Sequence, residues 1–78
     1  MKVTINTLEF DGVEIRYREV YLPEYKQVVK VAQESAWYSG EIGEGNPIDQ
    51  EIYCYVPDSV FNTYSDVEFS EYVISKFN

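Results

Sequence analysis

The chain contains no histidine. The commonest general base and the commonest transition-metal ligand are therefore missing, and neither a Ser-His-Asp nor a Cys-His arrangement can be assembled. There is one cysteine, Cys54, so a disulfide framework and cysteine-based zinc sites are excluded. No apolar run approaches the ~18 residues of a membrane-spanning helix. The start of the chain passes from Met1-Lys2 directly into an alternating pattern, with none of the regions of a secretory signal. A cytoplasmic protein, or one acting in a host's cytoplasm, is the expectation.

Positive charge is also missing from most of the chain. Lys2, Arg16, Arg18, Lys26 and Lys30 lie in the first thirty residues, where Glu9, Asp11, Glu14, Glu19 and Glu24 balance them. Residues 31–75 hold no base and nine acids: Glu34, Glu41, Glu44, Asp49, Glu51, Asp58, Asp66, Glu68 and Glu71. The net charge of −8 has the wrong sign for a nucleic-acid or anionic-membrane surface. Direct binding to either is not expected.

What the chain does have is 78 residues with an aromatic fraction of 17%, including eight tyrosines. That length makes residues 1–78 a single small acidic domain with one modest core. Ile52–Val56 (Ile-Tyr-Cys-Tyr-Val) is apolar or amphipathic on both sides of an extended chain. It predicts an inner strand, ended by Pro57, which cannot donate to a ladder. Around Asp11-Gly12 two alternating runs predict a hairpin in which Phe10 opposes Val13, Leu8 opposes Ile15 and, further out, Val3 opposes Val20. The apolar set changes face along this hairpin. Leu8, Phe10, Val13, Ile15 and Tyr17 lie near its tip, and Val3, Ile5, Val20 and Leu22 point the other way near its base. A bulge or a strong twist is expected there, unless different elements cover the two faces of the ribbon.

Residues 25–38 fit two patterns. Val28, Val29 and Val31 favour a strand, whereas the stripe Tyr25, Val28, Val29, Ala32 and Ala36 after Pro23 fits a helix stopped by Gly40. The strand is preferred. Residues 39–48 hold three of the four glycines and predict a mobile acidic loop that returns the chain as a long hairpin. Asp58 suits the start of a helical turn. Ser65-Asp66-Val67-Glu68 has the capping-box form, followed by a stripe of Phe69, Tyr72, Val73 and Phe77 with Lys76 in the last turn. The fold expected is α+β: a small antiparallel meander of about four strands with one C-terminal helix packed across a face. The alternative, with residues 25–38 helical, is ββαβα.

No catalytic motif stands out. Gly40-Glu41-Ile42-Gly43-Glu44-Gly45 lacks the Lys-Ser/Thr of a phosphate loop, and its glutamates would repel phosphate. Glu41, Glu44, Asp49 and Glu51 do not have the spacing of a calcium loop. No enzyme activity, metal or cofactor is expected. The feature that points to function is the supply of tyrosine and tryptophan, which bring contact area to protein interfaces at low entropy cost. Trp37, Tyr38, Glu41, Glu44, Asp49, Glu51, Tyr53 and Tyr55 form the candidate interaction surface. Such a surface suits a basic protein partner or self-association. The alternative is a phosphate mimic that inhibits a nucleic-acid-binding protein, as some small acidic proteins of phages and mobile elements do.

Overall fold

A computed structural model of the chain describes residues 2–10, 12–40, 42–43 and 47–77. Four strands, β1 (Asn6–Phe10), β2 (Val13–Leu22), β3 (Gln27–Gln33) and β4 (Ile52–Val56), form one mixed sheet in the order β1-β2-β3-β4. Three helices, α1 (Glu34–Tyr38), α2 (Asp58–Thr63) and α3 (Asp66–Phe77), pack on it, and a 3₁₀ turn spans Pro47–Glu51. The α+β class is as expected.

The β1–β2 hairpin has the expected register, with Phe10 opposite Val13 and Leu8 opposite Ile15, and Gly12 adopts a left-handed φ of 81°. Pairing stops at Asn6, so Val3 does not oppose Val20. The reason lies in α3. Asp66 accepts from the Thr4 amide at 2.9 Å and the Thr4 hydroxyl at 2.8 Å, and its own amide donates to the Lys2 carbonyl. These bonds hold the first residues on the start of α3, away from the β2 ladder. The β2–β3 turn places Pro23 second, where its fixed φ suits the turn, and Tyr25 N–H donates to the Leu22 carbonyl.

The change of face along the hairpin needs no bulge. The β1–β2 ladder ends at Tyr17 and the β2–β3 ladder begins at Arg18, and neither has a shift of register within β2. Instead, two cores lie diagonally on opposite faces of the sheet. The first joins Val20, Leu22, Val29, Val31, Cys54 and Val56 to Val60 and Phe61 of α2 and to Phe69 and Val73 of α3. The second joins Ile15, Ala32 and Ile52 to Ala36 of α1 and to Ile42 and Ile48. Successive residues of a strand point to opposite faces. Odd positions near the hairpin tip therefore enter the second core, and even positions from Arg18 enter the first. Where the covers end, the uncovered face of β2 is exposed, as at Glu14 and Arg16 on one side and Glu19 and Tyr21 on the other.

The preferred strand holds over Gln27–Gln33 and α1 follows it over Glu34–Tyr38, whereas Tyr25 and Lys26 belong to the β2–β3 turn and only Ala36 of the helical stripe lies in a helix. The valines stay extended, and the helix begins at Glu34, where no β-branched residue remains. Asp58, at the start of α2, accepts from the Ser35 amide at 3.0 Å and so caps α1 from outside it.

β4 departs from the meander. It lies parallel to β3, with Val31 opposite Cys54 and Ala32 opposite Tyr55. It is also an edge strand rather than an inner one. Its apolar character comes from burial on both faces, because parallel strands reached by a crossover are covered on both sides. The register shifts between Lys30 and Val31, and this irregularity leaves Tyr53 outside the regular alternation. Ile52 thus serves the second core while Cys54 and Val56 serve the first.

The connection before β4 is not simply a solvated loop. Ile42 and Ile48 are fully buried in the second core, and the Ile42 amide donates to the Ala36 carbonyl. The capping box of α3 forms as expected, with Ser65 and Glu68 each accepting from the other's amide. Phe69 and Val73 are buried, but Phe77, in the last turn, is 39% exposed, so the expected stripe ends one turn early. Among the described residues no helix is long and apolar enough to cross a membrane.

Candidate functional site

The crossover that makes β4 parallel also builds the most distinctive surface of the molecule. α1 carries Trp37 and Tyr38 across the second face, and β4 presents Tyr55 beside them. The Trp37 and Tyr55 rings lie 5.3 Å apart between centroids and are inclined at 59°. Together with Tyr38 and Glu34 they line an open cleft of about 290 Å³. Trp37 and Tyr55 are partly buried against the second core, whereas Tyr38 is 79% exposed at the rim.

Tyr55 is held from behind. Its hydroxyl donates to Asp49 Oδ1 in the 3₁₀ turn. Desolvation, then this hydrogen bond and the charge of Asp49, push the Tyr55 phenol above its ordinary range, so the group remains a neutral donor. Glu34 lines the cleft, and among the described residues no hydrogen bond or ion pair engages its carboxylate. One carboxylate thus braces the floor and another stands free at the side.

Of the surface expected from the sequence, Trp37, Tyr38, Tyr55 and Asp49 come together here. Tyr53 and Glu51 do not. They line a separate cleft with Gln27, Val28 and Lys30, and the Tyr53 hydroxyl donates to the Phe77 carbonyl at 3.2 Å. Glu41 and Glu44 lie outside the described residues. Glu34 belongs to the site without having been expected there. Its signal was its spacing: in a helix, residues three and four apart share a face, and Glu34 stands three before Trp37 and four before Tyr38.

A second aromatic and acidic surface, lined by Tyr64 at the end of α2 and by Tyr72, Glu68 and Glu71 of α3, differs in two respects. Lys76 already places its ammonium 5.8 Å from the Tyr72 ring centroid, and Glu68 is committed to the capping box. The other cation–ring pairs join Arg16 to Phe61, Arg18 to Phe69 and Lys30 to Tyr17. None among the described residues uses Trp37, Tyr38 or Tyr55.

The remaining reactive groups are structural. Cys54 is buried in the first core, where desolvation pushes its thiol up to about 12 and keeps it protonated. Arg18, only 1% exposed, donates to the carbonyls of Phe61 and Tyr64 at 2.9 and 2.8 Å and pairs with Asp66 at 2.8 Å. Among the described residues no group of three or more His, Cys, Asp or Glu is placed to hold a metal. No family model matches the chain, no curated protein is significantly similar to it in sequence, and no solved structure is significantly similar to it in fold.

Proposed function

We infer that the protein is a non-enzymatic binding module that takes a basic protein partner on the surface around Trp37, Tyr38, Tyr55 and Asp49. The observation that carries this reading is the pairing of a braced aromatic cleft with carboxylates, in a stretch of chain that holds no base between residues 31 and 75. Aromatic anchors supply contact energy, and complementary charge speeds encounter and rejects wrong partners. Self-association through this surface is disfavoured, because two copies would each bring a net charge of −8. A cytoplasmic setting accords with the buried, unpaired Cys54.

Phosphate mimicry ranks second. It needs carboxylates in rows on one face. Glu9 and Glu14 face each other on one side of the hairpin, Glu19 points to the opposite side, and Glu68 and Glu71 stand on α3.

The test is capture of partners from native cells by the tagged protein and by its Tyr38→Ala variant. A basic protein held at low salt, released at high salt and lost in the variant is expected. Equal capture by both forms would remove the aromatic surface from the account.

A further inference from the structure

The cleft is specific enough to name the group it receives. We propose that the space between Trp37, Tyr38 and Tyr55 takes an arginine side chain of the basic partner, with Glu34 accepting from its guanidinium. This rests on the binding-module reading and deepens it.

Three features of the cleft select this group. First, aromatic faces attract cations through their ring quadrupoles, tryptophan most strongly. The Trp37 and Tyr55 rings, packed against each other at an incline, line the cleft together with the exposed Tyr38 and so put aromatic surface beside an inserted group. Second, a free carboxylate stands beside them at Glu34. A guanidinium can stack its plane on a ring while its edge donates two parallel N–H bonds to a carboxylate, and an ammonium cannot do both. Third, the cleft is small and open. At about 290 Å³ it lies at the lower limit for drug-sized ligands but holds the end of one long side chain. Its open rim also suits a flat group entering from a protein surface better than a rounded alkylated ammonium, which needs enclosure on all sides.

The chain itself supports the assignment by contrast. Four of its own bases already lie over Phe61, Phe69, Tyr17 and Tyr72. The Trp37–Tyr55 pair is left without a described internal cation. It lies in a segment whose nearest bases in sequence are Lys30 and Lys76. The cleft is therefore open to a cation brought by another molecule.

Trp37 is the only tryptophan, so its emission reports on the cleft alone. The full chain is titrated with the peptide Gly-Gly-Arg-Gly-Gly, with its lysine counterpart and with tetramethylammonium chloride. A saturable change with the arginine peptide is expected, with the lysine peptide requiring several-fold more. Glu34→Gln should weaken the arginine peptide about tenfold, the effect of losing a charge-assisted hydrogen bond, and Tyr38→Ala should weaken it several-fold. Both residues lie outside the cores, so both variants keep the fold. No saturable change, equal affinity in Glu34→Gln, or tighter binding of tetramethylammonium than of the arginine peptide would overturn the proposal. A captured basic partner that binds Glu34→Gln at full strength would overturn it too, while leaving the broader reading intact.

Discussion

Replacing Arg18 with methionine is expected to lower the unfolding free energy by about 3 kcal/mol or more. A domain of 78 residues has roughly 4–12 kcal/mol in total, so the variant would be largely unfolded under mild denaturant. The cause is local. Arg18 is the donor for the last carbonyls around the α2–α3 junction, those of Phe61 and Tyr64, and its guanidinium lies 4.0 Å from the Phe69 ring centroid. Methionine would fill much of the space and leave both carbonyls without that donor. Asp66, whose side chain is 39% exposed, loses less when its partner goes, because water replaces it. Asp66→Asn keeps an oxygen where Asp66 Oδ1 accepts from both Arg18 and the Thr4 amide, so it should cost only about 1 kcal/mol. Urea unfolding of the two variants checks the ratio, and equal losses would contradict the assignment.

Asp66 also sets part of the acid limit. Hydrogen bonds from Thr4, first its amide and then its hydroxyl, hold the Asp66 carboxyl below its ordinary range, and Arg18 adds to them. A carboxylate lowered by folding contributes stability fully above its unfolded value of about 4, and the contribution is lost as pH falls through the folded value. Asp66→Asn should accordingly flatten the acid side of the stability profile and leave neutral pH as the region of its greatest deficit.

The second large effect is expected at Ile42, in a stretch whose glycines suggest a free loop. Ile42→Ala should cost about 2–4 kcal/mol, because the side chain is fully buried against Ala36, Ile48 and Ile52 in the second core. Gly43→Ala, one residue away, meets nothing within 4 Å and should change stability by less than about 0.5 kcal/mol. Thermal unfolding of this neighbouring pair separates a pinned crossover from a mobile loop. If both are near neutral, the second core does not hold the crossover.

Much of the fold could be read from local signals. The hairpin was visible because Asp-Gly sits between alternating runs, the terminal helix because its capping box precedes an apolar stripe, and β4 because five residues in succession suit an extended chain. The direction of β4 was not visible. A crossover usually declares itself by a long helix, and α1 has only five residues. Ile42 and Ile48 sit singly among glycines and acids, so no periodicity marked them as core. Arg18 read as one more polar residue in a strand, because alternation tells which face a side chain takes and not whether a helix covers it.

The same limit governs the site. Trp37, Tyr38 and Tyr55 stood out by composition, but only the parallel crossover brings α1 against β4. Strict alternation makes Tyr53 equivalent to Tyr55, two residues later, and the register shift beside it sends it to the far end of α3 instead. Glu34 was counted among the acids, and the helix turns it toward the rings.

The most direct test of the binding surface is amide hydrogen exchange along the chain, free and bound to the captured basic partner. Slowed exchange at residues 34–38 and 49–55, with α3 unchanged, is the expected result. Protection confined to α3 and the β1–β2 hairpin, with residues 34–38 and 49–55 exchanging as in the free protein, would contradict it.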